Sequence, residues 1–193
     1  MWVVKLGGAM MHAPDLAAWL EACATAPEPC TVVIGGGALA DEIRALQASW
    51  HFDDALADEC ALTAMALNAR IAARLAPALE VFSALEAAPA SGCGLWLPQP
   101  PCRGLDLPQT WAVTADSIAY RVAVLLGAAG VLLVKSAPAA ACRYAGVEAA
   151  ADAGLVDAYL PTLVRRHGLP VRVSDRAGHA AFAGGGRSGW PLG

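Results

Sequence analysis

Lysine is scarce in this chain of 193 residues, and the basic residues of the chain are few and mostly dispersed. Eleven of the 13 basic residues are arginine, and the two lysines are Lys5 and Lys135. Apart from Arg165–Arg166 the arginines are dispersed, and the formal net charge is −4. Because no basic stripe is present to follow a phosphate backbone, we do not expect nucleic acid as a partner. The composition raises the question of what the two lysines do.

Long hydrophobic runs are also missing, although 57% of the residues are hydrophobic. The apolar run 122–134 is bounded by a charge on each side and is shorter than the ~20 residues that a membrane-spanning helix needs. The N-terminus lacks the layout of a signal peptide, because glycines follow Lys5 and Asp15 precedes any long apolar segment. We therefore expect a cytoplasmic protein with no membrane partner.

The six cysteines form no Cys-x-x-Cys pair, and none has a histidine nearby at the spacing of metal ligands. The four histidines are dispersed as well. A zinc site is therefore not expected, and no metal-binding side chains are predicted. The pattern indicates free, mostly buried thiols, as is usual for a cytosolic protein.

Short apolar runs alternate with amphipathic segments along the whole chain. Strands are predicted over 2–6, 31–34, 80–83, 95–97, 131–134 and 171–174. A first helix is predicted to open at Pro14 and to end before Pro27. Further helices are predicted over 39–49, 53–75, 114–126, 148–153 and 161–166, and the 184–186 tail is predicted to be loose. Leu16, Trp19, Leu20 and Cys23 of the first helix are expected to face the core, as are Leu39, Ile43 and Leu46 of the second. Such alternation predicts a single α/β domain, a three-layer αβα sandwich with a mostly parallel central sheet.

Three predicted strands end in residues that suit a bound anion, namely Lys5–Gly8, Gly35–Gly37 and Lys135–Ser136. The carboxyl ends of parallel strands share one edge of the sheet, where ligands bind. Glycine lets backbone N–H groups approach a ligand, and the following helix N-terminus favours negative charge. Each piece alone is compatible with a plain turn or a solvated rim charge. Because both lysines fall at this edge, we predict a site for several phosphate oxygens there.

Two common phosphate-binding motifs are absent from the chain. No Gly-x-x-x-x-Gly-Lys-Ser/Thr segment occurs, so the lysines do not belong to a P-loop. The triple glycine is followed by Ala38 and Leu39 and does not form the Gly-x-Gly-x-x-Gly turn of dinucleotide-binding domains. The predicted anion site must therefore be of another kind.

Two aspartates each have two interpretations. Thr114–Ser117 is a helix-capping signal, so Asp116 either satisfies the first N–H groups of that helix or fixes the ammonium of Lys5 or Lys135. Asp41 follows the triple glycine, where it either contacts a cationic group of a substrate or complements the helix dipole. The spacing alone leaves both questions open.

The segments Val4–Gly8, Ile34–Gly37 and Val113–Ser117 resemble the glycine turns and the aspartate motif of the amino acid kinase superfamily. Within it, the similarity is greatest to the branch that phosphorylates aminomethyl-furanylmethyl phosphate in methanofuran biosynthesis. The matching segments extend over about residues 1–175 and comprise 35–41, the helix around Met65, 111–118, 132–136 and 153–157. The resemblance implies an acceptor-binding half over 1–110 and a shortened nucleotide-binding half over 111–193.

The resemblance also implies a role for each predicted site residue. Lys5 would bridge the donor and acceptor phosphates, Asp116 would organise the lysines, and Lys135 would contact the nucleotide phosphates. Gly7 and Gly8, with Ser136, would bind the donor phosphates, and Gly35, Gly36, Gly37 and Asp41 would bind the acceptor. The implied cofactors are ATP and Mg²⁺, because such chemistry depends on positioning and charge neutralisation.

The implied function is an ATP-dependent phosphotransferase that acts on a small phosphomonoester, with aminomethyl-furanylmethyl phosphate as the first candidate. The resemblance implies a further lysine in the nucleotide half of several relatives; this chain has no third lysine, and Arg143 could substitute with different geometry. The alternatives are a non-catalytic anion- or nucleotide-binding subunit of the same fold, or a uridylate or amino-acid kinase. Because 53–75 is so apolar, a homodimer or higher homo-oligomer is expected.

Overall fold

A seven-stranded sheet runs through the computed structural model, which describes residues 1–100, 104–138, 142–185 and 189–192. The strands in chain order are β1 Trp2–Leu6, β2 Cys30–Ile34, β3 Glu80–Phe82, β4 Cys93–Trp96, β5 Val131–Val134, β6 Val171–Ser174 and β7 Trp190–Pro191. The strand order is β3-β4-β2-β1-β5-β6-β7, and within the described ranges every neighbouring pair except β6–β7 is parallel. The predicted fold class is confirmed. Two predicted positions, the thiol of Cys102 and the tail glycine Gly186, lie outside the described residues.

Seven α-helices pack around the sheet in the described part of the chain. They are α1 Leu16–Ala24, α2 Gly37–Trp50, α3 Asp54–Leu75, α4 Ala115–Leu125, α5 Val147–Asp152, α6 Leu160–His167 and α7 His179–Ala183. The helices predicted up to residue 166 are present, with ends shifted by at most two residues. Sequence reasoning missed α7 and β7, because a five-residue helix and a two-residue strand leave almost no periodic signal.

The strands at the centre of the sheet place alternate side chains in two different cores. Val3 of β1 and Leu133 of β5 pack in the core that includes α4. Val4 and Leu132 pack in the core that includes α1. Because side chains alternate along a strand, Lys5 belongs to the same face as Val3, toward α4. Register pairs Lys5 with Val33 on one side and with Leu133 on the other.

The helices α1 and α2 differ in how well their buried faces were predicted. The predicted inner face of α1, with Trp19 and Cys23 at its centre, is fully buried. The prediction that Leu39 and Leu46 of α2 face the core is wrong, since their side chains are 41% and 42% exposed. None of the residues of α2, all of which the structure describes, is buried. The reason is that α2 packs mainly on α3 and on the turn after β1, outside the layer that covers the sheet.

The apolar composition produces no membrane-spanning element in the structure. In the described ranges, no helix is both long enough and apolar enough to cross a bilayer. The five cysteines that the structure describes are free thiols, and Cys23, Cys30 and Cys142 are buried as expected.

Candidate functional site

Two lysines and one aspartate meet at the carboxyl edge of the sheet. Lys5 lies near the end of β1, Lys135 directly follows β5, and Asp116 lies in the first turn of α4. Nζ of Lys5 is 2.8 Å from Oδ1 of Asp116. Nζ of Lys135 donates a hydrogen bond of 2.6 Å to Oδ2 of the same carboxylate. Asp116 therefore joins both lysines, and it does not cap its own helix.

The ion cluster of Lys5, Asp116 and Lys135 is nearly removed from water, with side chains 8%, 4% and 14% exposed. Burial alone would raise the pKa of Asp116, but the charges and hydrogen bonds of the two lysines outweigh it and hold that pKa well below its usual range. Burial lowers the pKa of Lys135, and the charge of Lys5 acts in the same direction, whereas Asp116 and Asp157 oppose the shift. Two ammonium groups thus share one carboxylate, which leaves the cluster with an excess positive charge that a phosphate can neutralise.

The two glycine turns beside this cluster touch each other backbone to backbone. A Cβ on Gly8 would overlap the backbone N of Gly37, and one on Gly37 would lie 2.6 Å from the carbonyl oxygen of Gly8. A Cβ on Gly35 would lie 2.7 Å from the backbone N of Gly8. Gly37 also has a φ of 55°, which glycine adopts without strain. Glycine is therefore required here for packing between the turns, whatever ligand they contact.

Only some backbone N–H groups of these turns can face a ligand. The N–H of Gly7 donates to the carbonyl oxygen of Val134, and that of Gly35 donates to Leu6. The N–H of Gly7 is thus used by the sheet, contrary to the expectation that it binds a donor phosphate. The first N–H groups of α2, beginning with Gly37, have no partner within the helix and point out of its N-terminus. These N–H groups at the start of α2 are therefore the ones that can donate to an anion.

Asn68 fixes the second glycine turn from below, a role that sequence reasoning missed. Its Nδ2 donates to the carbonyl oxygens of Gly35 and Gly36, at 2.8 and 2.9 Å. The side chain is buried in the middle of α3. A polar residue at a buried position of an otherwise apolar helix is the signal that could have revealed it.

A cavity of about 240 Å³ opens beside Lys5. Its floor includes Lys5, Gly8 and the whole Gly35–Gly37 turn, and its walls come from α2, α3 and the segment 110–118. The cavity therefore brings together all four residues that were predicted to bind the acceptor, the three glycines of this turn and Asp41. Gly7, Asp116, Lys135 and Ser136 are outside its lining, and Ser136 is exposed at the end of β5.

Acidic side chains also line the cavity. Asp54 and Asp58 lie on the first two turns of α3, and Asp41 lies on α2. Asp54 accepts a hydrogen bond of 2.8 Å from the side chain of Gln47. Gln47 is ten residues after Gly37, which corresponds to about 15 Å along the axis of α2 because an α-helix rises 1.5 Å per residue. Burial raises the pKa of Asp58, although a hydrogen bond from Gln109 opposes this shift. The cavity thus has the ammonium group of Lys5 at the glycine turns, the carboxylate of Asp41 one turn along α2, and the carboxylate of Asp54 beside Gln47, farther along the same helix.

An aromatic residue forms part of the cavity wall. The indole N–H of Trp111 donates to Oε1 of Gln47, and the guanidinium of Arg44 lies 4.5 Å from the centre of the indole ring. Trp111 and Arg44 line the cavity, together with apolar side chains such as Leu62 and Met65, whereas Gln47 does not. This wall can therefore contact the flat, apolar part of a ligand that carries a charged group at each end.

Asp157 organises the start of α4, although sequence reasoning gave it no role. The cap signal at Thr114 does place the helix start correctly, but the hydroxyl of Thr114 does not cap the helix. Instead Oδ2 of Asp157 accepts hydrogen bonds from the backbone N–H groups of Thr114 and Ser117, both at 2.9 Å. The helix is thus capped by a carboxylate from a distant part of the chain.

Mg²⁺ has no ready-made binding site in this part of the protein. Both oxygens of Asp116 face lysines, and the described ranges hold no group of three or more His, Cys, Asp or Glu side chains that could bind a metal. Arg143, the candidate substitute for a third lysine, lies with its guanidinium 5.0 Å from the ring of Trp190. We therefore assign no step of a reaction to a protein-bound metal.

The mostly parallel seven-stranded sheet with its helices has the amino acid kinase fold. Solved structures with a similar fold include the uridylate kinase of Archaeoglobus fulgidus, with a TM-score of 0.73 and 15% identity, covering 100% of this chain and 99% of that one. The UMP kinase of Bacillus anthracis has a TM-score of 0.62 and 14% identity, with 91% and 87% covered. The aspartate kinase of Synechocystis has a TM-score of 0.65 and 13% identity, with 91% of this chain and 38% of that chain covered.

At these identities the similarity establishes the fold alone. No protein-family model and no curated protein matches the sequence. What this chain does must therefore be argued from its own site.

Proposed function

We propose that this protein is an ATP-dependent phosphotransferase that phosphorylates a small phosphorylated acceptor. The observation that carries the proposal is the position of Lys5, which lines the cavity and also contacts the carboxylate that holds Lys135. One ammonium group thus touches both the acceptor cavity and the cluster at the end of β5. A reaction that moves negative charge between two ligands needs a cation at their boundary.

In the proposed reaction, a phosphate oxygen of the acceptor attacks the γ-phosphorus of ATP. The new P–O bond forms as the bond to the β–γ bridging oxygen breaks, and ADP leaves with that electron pair. Lys5 neutralises charge on the transferred group, and Lys135 neutralises charge on the nucleotide side. The ionised acceptor needs no general base, which agrees with a site built from two cations and a bridging carboxylate. Mg²⁺ would arrive with ATP as its counter-ion.

The cavity favours an acceptor with a phosphate at one end and a cationic group at the other. The phosphate would bind near Lys5 and the N-terminus of α2, and the cation would lie near Asp54 or Asp58. Trp111 would contact a ring between them. Aminomethyl-furanylmethyl phosphate has these three parts and is our first candidate, with its diphosphate as the product.

A substrate panel tests the proposal directly. Purified protein is incubated with ATP and Mg²⁺ and with aminomethyl-furanylmethyl phosphate, uridine monophosphate or aspartate, and ADP and phosphorylated product are measured. We expect the furan phosphate to be turned over fastest, with a matched Lys5→Ala preparation as the control for contaminating kinases. ATP binding by calorimetry without turnover of any acceptor would contradict the proposal and favour a non-catalytic nucleotide-binding subunit.

We further propose that the chain assembles into a homodimer or a higher homo-oligomer. Leu67, Ile71 and Leu75 follow one another at intervals of four on α3 and are 47%, 47% and 57% exposed. Such a helical stripe of large apolar side chains is typical of a surface that a second molecule covers. Light scattering is expected to give a multiple of the monomer mass of 19.7 kDa, and a monomer would contradict the proposal.

The double substitution Leu67→Glu with Ile71→Glu tests whether that stripe is the interface. It is expected to convert the assembly to monomers, because two carboxylates would then have to be buried against a partner. Leu125→Glu is the matched control, since Leu125 is a similarly exposed leucine on α4. An unchanged mass for the double variant would place the interface elsewhere.

A further inference from the structure

Asp157 lies outside the cavity and outside the ion cluster, yet its carboxylate is the most heavily hydrogen-bonded group near the site. Besides the two backbone N–H groups at the start of α4, it accepts from the hydroxyls of Thr114 and Ser117 and from the backbone N–H of Leu160. The Leu160 bond places the same carboxylate at the start of α6. Asp157 is 9% exposed. One buried carboxylate therefore fixes the first turns of two helices to each other.

The turn that Asp157 holds is the turn that carries Asp116. Asp157 binds Thr114, the residue before α4, and Ser117 in its first turn, which flank Asp116 at positions two before and one after it. The backbone N–H of Tyr159 also donates to the carbonyl oxygen of Ala112, which fixes the same segments a second time. Neither contact touches Lys5 or Lys135. Their effect on the ion cluster must pass through the position of α4.

We propose that Asp157 is a positioning residue, whose carboxylate holds the first turn of α4 so that Asp116 lies between Lys5 and Lys135. The inference deepens the proposed function, on which its kinetic consequences rest. The arrangement itself does not depend on any substrate. A shift of Asp116 by about 1 Å would separate it from one of the lysines, and misplacement of that size costs on the order of 10²-fold in rate.

Asp157 also contributes its charge to the environment of Lys135. The charged or titratable groups that act on Lys135 are Lys5 from β1, Asp116 from α4, Asp157 from the segment before α6, and Cys142 from the segment after β5. Asp157 helps to keep the pKa of Lys135 from falling further than burial and Lys5 already lower it. Removing that charge should therefore make the ammonium of Lys135 lose its proton at lower pH.

The scarcity of lysine makes this effect measurable without any substrate. Protein labelled with ¹³C-lysine gives two lysine Cε signals, which Lys5→Arg and Lys135→Arg assign. In Asp157→Asn, the Lys135 signal is expected to titrate at lower pH than in the unsubstituted protein. Asp152→Asn is the matched control, because it removes one exposed carboxylate from the end of α5 and is expected to leave the titration unchanged.

Kinetics of the same variants provide a second measurement. With ATP and the phosphomonoester that the unsubstituted protein turns over fastest, Asp157→Asn is expected to lower kcat by on the order of 10²-fold with KM little changed. An unchanged Lys135 titration in folded Asp157→Asn would overturn the inference. If the protein shows no kinase turnover but Ser117→Ala, which keeps the charge of Asp157, still moves the lysine Cε signals, Asp157 remains a positioning residue and only the proposed function is rejected.

A milder variant is available if Asp157→Asn does not fold. Ser117→Ala removes one of the five hydrogen bonds to Asp157 and keeps the buried charge. It is expected to lower kcat by about ten-fold, as small displacements of catalytic groups do. It should also move the Cε chemical shifts of the lysines at neutral pH. Unchanged kcat together with unchanged chemical shifts would overturn the inference.

Discussion

Lys5→Ala is expected to lower kcat for phosphoryl transfer by on the order of 10²–10³-fold, the loss that follows removal of one charge-stabilising donor from a transition state. Among the described residues, Lys5 is the cation that both lines the cavity and contacts Asp116, since Arg44 only lines the cavity and Lys135 only contacts the carboxylate. Lys5→Arg is expected to be almost as poor, because a planar guanidinium cannot occupy the position of a compact ammonium beside two glycine turns. Initial rates with ATP and the accepted phosphomonoester measure both variants.

Arg70→Ala is the matched control for Lys5→Ala, since it also removes one cation but from the exposed surface of α3. It is expected to leave kcat unchanged. Thermal unfolding of both variants separates catalysis from stability, because Asp116 in Lys5→Ala keeps Lys135 as a partner and the fold should persist. Full turnover by folded Lys5→Ala would reject the mechanism proposed for this site.

Much of this site could be predicted because its residues follow the strand ends. Lys5 and Lys135 follow buried strands, and the edge of a parallel sheet brings such ends together. The alternation of side chains along a strand also indicates that Lys5 and Lys135 lie on the same face of the sheet, because Val3 and Leu133 pack in the core that includes α4. The open question about Asp116 could not be answered from spacing. An aspartate at position 116 can either cap α4 or pair with a lysine, and only the contacts in the structure distinguish these two roles.

Other parts of the site left little or no local signal in the sequence. The Asp157 cap lies 40 residues from Ser117, so its partner cannot be found from any local pattern. The hydrogen bond from the N–H of Gly7 to the carbonyl oxygen of Val134 could not be found from a local pattern either. The glycine motif alone would assign that N–H to a ligand. The outward-facing leucines of α2 show a different limit. An apolar helical face predicts burial, but it does not say whether the same chain or another molecule provides the cover.

Gly8→Ala is expected to be the most damaging small substitution in the protein, with both stability and turnover lost. The added methyl group would overlap the backbone of Gly37, which cannot yield as a flexible side chain would. Overpacking of this kind costs typically 1–3 kcal/mol, and the turns can relieve it only by moving apart. Because the Gly37 turn begins α2 and Gly8 lies three residues after Lys5, just beyond the end of β1, that movement would also displace the proposed anion site. Thermal unfolding and initial rates measure the two effects.

Gly184→Ala provides the comparison for Gly8→Ala, because a Cβ there would lie 3.6 Å from its nearest neighbour at an ordinary backbone conformation. It is expected to change neither Tm nor turnover. The pair of variants separates two reasons for glycine at position 8. If Gly8 serves only to let a phosphate approach, Gly8→Ala should lose turnover while keeping its Tm. If the turns interlock as the backbone contact requires, Tm must fall as well, and an unchanged Tm would show that the contact between the two turns is not what holds them.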